Sequence, residues 1–374
     1  MKIERKSHRD RTTGLEVTQW TDYKGHSHHF YFTNPGWYDG GRKLLFGSDR
    51  ANRTNLFGLD LTTGEIEQLT DLEPVPLPRE LEFVRACKNP VCEEAYFMHD
   101  LNVMAVDLKT KKLRVLHEMD PRWIVSQINC SADGLFVYFG TWVDQSDKFE
   151  VDLLRGYVGF AQTWEAMPLS QIIRVPTGDG AAEVVFEENY WIGHTNTSPT
   201  MPGLLTYCHE GPWDKVDNRT WGLDASTGKT WKIRETTGQE TTGHEYWFAD
   251  GLRVGYHGKD GEGRPMLGYC NHDNSGRVEA SFPGLTGHIF SFDDSLIVGD
   301  GGGVIRLWKP SEGGYLPPRM LCSHGSCGLV QQTHPHPRIS SDGKSVFFST
   351  DRSGYGNIYS VEIEDFDSLP LAED

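Results

Sequence analysis

The sequence contains no apolar run near the ~20 residues of a membrane-spanning helix, so no such helix is expected. Its first residues, MKIERKSHRDRTTG, are charged and carry no hydrophobic stretch. No secretory leader is expected from them. The chain is also short of positive charge: 36 Lys and Arg stand against 53 Asp and Glu, a formal net charge of −17. Phosphate neutralisation needs a basic face, so nucleic acid is a poor partner for this chain. An anionic substrate would be repelled at long range and would need a local cation, either a metal ion or an arginine. Cysteine is sparse, odd in number at seven, and scattered. That is no disulfide framework, and free thiols point to a reducing compartment, the cytoplasm.

What the sequence does have is turn formers and large aromatics: 41 Gly, 19 Pro, 11 Trp and 14 Tyr. That mixture suits many short strands. Helical periodicity is almost absent, and a strand–turn pattern recurs instead. It is seen at 43–70, 95–116, 130–186 (interrupted), 203–233, from 245, from 288 and at 337–363. Several units open on Ser-x-Asp-Gly and close on Asp-x-x-Thr-Gly. Seven units of roughly fifty residues match the period of propeller blades with some long loops. The expected fold is all-β, a seven-bladed β-propeller forming a single domain over 1–374. The early strand at 14–21 is expected to close the ring with the last blade. The longest insert, 144–170, has room for a short helix.

The segment QQTHPHP (331–337) sets two histidines two apart, each followed by proline. Proline fixes its own φ and pushes the preceding residue towards extended geometry. His334 and His336 are therefore expected to be extended, with both rings on one face. This is either a stiff turn with solvated imidazoles or half of a metal site. Gln331, three before His334, joins a metal only if the chain bends. His288 precedes a strand, where it is either a polar cap or a ligand. In 207–224, His209, Glu210, Asp214, Asp217 and Arg219 crowd one loop beside Trp213 and Trp221. Such a loop is either salt-bridged or a substrate wall in which Arg219 clamps a carboxylate. His244 lies just before a strand and is either a general base or a satisfied polar residue. The glycine-rich stretches 255–264 and 299–306 fit no phosphate-binding fingerprint and read as hairpin turns. Two cysteine pairs, in 87–92 and 322–327, lie too far apart in sequence to suggest one zinc site.

CHEGPWDKVDNRTW (208–221), GHEYWFADG (243–251), SFDDSLIVGDG (291–301) and THPHPRISSDGKSVFFSTD (333–351), taken in order, resemble the oligogalacturonate lyases. HSHHFYF (26–32) and TNLFGLDLTTGEIEQLT (54–70) are similar to that family's first blade. The resemblance implies cytoplasmic pectin-degrading enzymes with a seven-bladed propeller that cleave short oligogalacturonates by β-elimination. It implies Mn2+, or another divalent cation, held by His288, Gln331, His334 and His336. It implies His244 as base and Arg219 as active-site arginine. His209, Arg219 and His28 are the candidate substrate contacts. The segments 144–170 and 193–203 differ from the family's pattern, and a basic residue expected near the second is missing. That bears on sugar subsites more than on the metal site. Two other readings are a propeller enzyme for another uronate and a TolB-like propeller that only binds.

Overall fold

Two polar turn motifs punctuate the strands of this computed structural model, which describes residues 3–373 apart from 77, 78 and 285. In Ser-x-Asp-Gly the serine hydroxyl donates to the aspartate, at 2.6 Å in both Ser131–Asp133 and Ser340–Asp342. The glycine N–H then closes onto the serine carbonyl, and Gly343 does so at a φ of 75° that disfavours a side chain. In Asp-x-x-Thr-Gly the carboxylate of Asp60 accepts the N–H groups of Thr62 and Thr63, and Gly64 turns back onto its carbonyl. Asp107 repeats this turn with Lys111, at φ 61°, in the glycine's place.

Between such turns the strands form seven antiparallel sheets of four or five strands, the blades of a seven-bladed β-propeller. In chain order they span 27–68, 87–118, 123–189, 192–233, 241–281, 289–323 and 338–362, and the last also takes in 6–9 and 16–19. A two-stranded hairpin, 310–315, projects from the sixth. The insert of the third sheet carries the helix Phe160–Glu165.

The described residues form two compact units. One runs to residue 74 and adds 82–84 and 280–374, so it holds the first, sixth and seventh sheets. There, Glu16–Gln19 pairs with Asn357–Glu362, with Val17 opposite Val361 and Gln19 opposite Tyr359. Trp20, Phe46, Phe57, Phe347 and Ile358 form one buried cluster of this unit. Each such side chain contributes about 1.5–3 kcal/mol when buried. The second unit, 75–81 and 85–279, holds the second to fifth sheets. Its cores are built the same way, for example Tyr138, Ile172, Ile192, Leu205 and Tyr207.

Both glycine-rich stretches contain hairpins, but each turn is shorter than the stretch. Residues 255–259 already belong to the strand Arg253–Lys259, and 299–301 to Ile297–Gly301. Alternation in these strands is masked because glycine fills the places where a large side chain would mark the buried face.

Candidate metal centre and catalytic residues

In the first unit, His288, His334 and His336 each bring one ring nitrogen within 4.8 Å of the others. The ring centroids are 4.4 to 5.6 Å apart. His288 and His336 are buried and His334 is half-buried. The chain reaches this arrangement by bending. Gln331–Thr333 is a single 3-10 turn, and His334 follows it in extended geometry at φ −64°, ψ 135°. His336 does not stay extended. Its φ is +45°, so the expectation of two extended histidines on one strand face is corrected. Ser349 N–H holds the Pro335 carbonyl from one side, and the Tyr31 ring meets His336 edge-on at 4.7 Å. Tertiary contacts therefore override the local preference of a residue before proline.

The nitrogens are presented as a metal would need them. Asp300 Oδ2 lies 3.0 Å from His288 Nδ1, and a carboxylate only accepts, so Nδ1 carries the proton and Nε2 keeps its lone pair. Asp300 Oδ1 also accepts the His288 backbone N–H, at 2.6 Å. Burial alone would raise the Asp300 carboxyl, but His288 and its hydrogen bonds hold it below the usual range. The Gly328 carbonyl takes the Nε2 proton of His334 at 3.0 Å and leaves Nδ1 for a ligand bond. Burial and neighbouring His288 push the His334 imidazole down, towards its neutral, ligating form. Carbonyl and carboxylate partners on the far nitrogen are the usual backing of metal-bound histidine. Three imidazoles suit Mn2+ and similar divalent ions without selecting one. Gln331 sits in the turn just before His334, where the bend that the sequence required is present.

His28 and His29 also belong to this unit. His28 is 2% exposed and lies over Gly47, the residue opposite it in the sheet. Burial, then His29 and His26, hold its pKa down to about 3. His28 is thus an interior ring held towards its neutral form. His29 reaches the Phe30 and Pro335 carbonyls, at 2.7 and 3.3 Å, from beneath the His-Pro-His segment.

In the second unit, Arg219 is 3% exposed. Its Nη1 donates to Glu210 Oε1 at 2.7 Å, and its Nε stands 3.6 Å from Glu245 Oε2. Burial works against the charge, but Cys208, Glu210 and Glu245 outweigh it and raise the guanidinium well above its ordinary value. Glu210 is itself held well below the carboxylate range: Arg219, followed by His194, overcomes the burial penalty. His194 Nε2 is 3.2 Å from the other Glu210 oxygen.

His244 sits on a bulge. Pairing between Thr241–Trp247 and Arg253–Lys259 shifts between Gly243 and Tyr246, and His244 has φ +50°. The preceding sheet bulges in the same place, between Gly193 and Asn196, and its His194 has φ +43°. Gly-His thus recurs at one position in successive sheets, and the bulge turns each imidazole out of the regular alternation. His244 Nδ1 is 2.9 Å from His257 Nε2. The Trp213 ring stands edge-on to both, at 5.1 and 5.7 Å. It lies so close over Gly243 that a Cβ there would run into the indole.

His209 lies between two acidic side chains. Its Nδ1 lies 2.5 Å from Asp217 Oδ1, its Nε2 lies 3.0 Å from Glu188 Oε1, and Tyr190 stacks on its face at 3.7 Å. Both nitrogens are committed to carboxylates, so the ring ties down the 210–219 loop. Two partners escaped the sequence reading: Asp300 behind His288, and His257 behind His244. Both lie in the glycine-rich stretches taken as turns. An ionisable residue placed before the actual turn was the available signal.

A family model described as oligogalacturonate lyase matches residues 1–315. The chain is 26% identical to the oligogalacturonide lyase of Pectobacterium atrosepticum and to the oligogalacturonate lyase of Dickeya dadantii, over 96% of each chain. Among solved structures, an oligogalacturonate lyase in complex with manganese superimposes with a TM-score of 0.87. It is 24% identical, over 98% of this chain and 97% of the other. The Vibrio parahaemolyticus oligogalacturonate lyase gives 0.86 at the same identity, over 98% of both chains.

Proposed function

This chain belongs to the oligogalacturonate lyase family, and from that premise we propose that it cleaves short oligogalacturonates by β-elimination with Mn2+ or another divalent cation. The ligands are His288, His334 and His336, with the Gln331 side chain as fourth. A cation bound there supplies a Lewis acid for the uronate carboxylate, which stabilises the negative charge that develops when C5 loses its proton.

His244 is the base. With its proton on Nδ1, its Nε2 takes the C5 proton, the C5–H electrons form the C4=C5 double bond, and the C4 oxygen departs with the C4–O pair and takes a proton from water. Arg219 does not compete for this role, because its two carboxylate neighbours keep it charged. It acts as a fixed cation that Glu210 and Glu245 orient to meet a substrate carboxylate. His209 braces the loop that carries Arg219. Residues 1–374 are read as one domain, since strands from both ends share a sheet. The seven cysteines are all free, which fits work in the cytoplasm. Among the described residues no helix is long and apolar enough to cross a membrane.

The convergence of three imidazoles, two of them backed by Asp300 and the Gly328 carbonyl, carries this reading. The test is ultraviolet absorbance on mixing the protein with di- and trigalacturonate, with Mn2+ or with EDTA. Elimination makes a conjugated unsaturated uronate and hydrolysis does not, so a metal-dependent rise is expected. No rise with metal bound would move the substrate to another uronate. No rise and no metal would overturn the enzyme reading.

A further inference from the structure

We infer that His257 is the positioning partner of His244, an imidazole that fixes which nitrogen of the base carries the proton. The inference rests on the reading of His244 as base. His257 lies in the strand Arg253–Lys259, directly opposite Gly243 in the sheet, and is buried. The bulge brings His244 back over it: the two rings are 23° from parallel with centroids 5.2 Å apart, and Nδ1 meets Nε2 at 2.9 Å. Trp213 walls off the edge of both rings. Two ring nitrogens at that distance share one proton. If His244 donates it, His257 holds its own proton on Nδ1, and the lone pair of His244 sits on Nε2, ready for C5.

During turnover the C5 proton goes to His244 Nε2, while the Nδ1 proton stays in the bond to His257. The imidazolium that forms is then stabilised by a neutral acceptor. A carboxylate in that place would orient the ring equally well but would hold the base in its protonated form at higher pH. The charged groups nearby are Arg219, whose guanidinium carbon is 5.9 Å from the Trp213 ring centre, and Glu245, next in the chain and turned to Arg219.

The full-length protein tests this with His257→Phe, His257→Gln and His257→Glu. His257→Phe is expected to lower kcat about 100-fold, the scale of a misoriented general base, with KM and Mn2+ affinity within about twofold. His257→Gln keeps an acceptor oxygen and is expected to retain most of the rate. His257→Glu is expected to move the acid limb of kcat/KM up by about one pH unit. In 15N spectra of the histidine-labelled protein without substrate, His244 is expected to be protonated at Nδ1. A proton on Nε2 of His244 overturns the inference, and so does a His257→Phe variant with wild-type kcat and acid limb. If the phenylalanine variant fails to fold, the glutamine and glutamate pair decides: equal acid limbs in the two overturn it. Should His244→Ala keep full turnover, the base lies elsewhere and the inference falls with it, whatever the spectra show.

Discussion

At the scale of single residues, the site depends as much on what stands behind each imidazole as on the imidazoles themselves. Asp300 accepts from both the ring and the backbone of His288. Asp300→Asn keeps the shape and removes the charge, so Mn2+ affinity measured by calorimetry is expected to fall about 10- to 100-fold. His28 leads to a pH prediction. Its folded pKa of about 3 lies below the unfolded value near 6.5, so the unfolded chain binds more protons across that window. Stability is therefore expected to fall as pH drops from about 6.5 towards 4. The contribution of His28 is up to about 3 kcal/mol, at roughly 1.4 kcal/mol per pH unit. Urea titrations of the metal-free protein check this, and His28→Leu is expected to flatten the slope.

His334, His336 and His288 were legible because their type and spacing, joined to a family resemblance, survive without coordinates. The +45° φ of His336 was not, because it is imposed by Tyr31 and by the anchoring of the Pro335 carbonyl, contacts made from far away in sequence.

At the scale of elements, the sheets were legible because their turns are local chemistry. A serine, an aspartate and a glycine within four residues close a turn without help from elsewhere. The bulges were not legible, since an extra residue in one strand shows only against its partner. Gly243 and Gly343 separate these two kinds of constraint. Around Gly343 there is open space, but its φ is 75°. Gly343→Ala is expected to cost about 1 kcal/mol of stability and leave kcat unchanged. Gly243→Ala pushes into Trp213, the ring that confines His244 and His257, and is expected to lower kcat at least about tenfold with Mn2+ binding intact. Thermal unfolding and steady-state rates on the two variants check both.

At the scale of the whole molecule, the charge of −17 opposes the approach of a polyanion that the local cations are built to hold. Screening shortens the reach of that repulsion to about 8 Å at 0.15 M ionic strength. For tri- and longer galacturonates, kcat/KM is expected to rise as salt increases from a few millimolar towards that level. A steady fall would mean that Arg219 and the metal dominate capture at a distance.

The seventh sheet joins residues 16–19 to 357–362, two stretches far apart in the sequence. On a translating ribosome, the hairpin of 6–9 and 16–19 has only itself to pair with until residues 357–362 have emerged. It waits with an open edge, the kind of surface that pairs with other chains. Closure of this sheet thus waits on residues 357–362, and a chain cut short before them cannot fasten it.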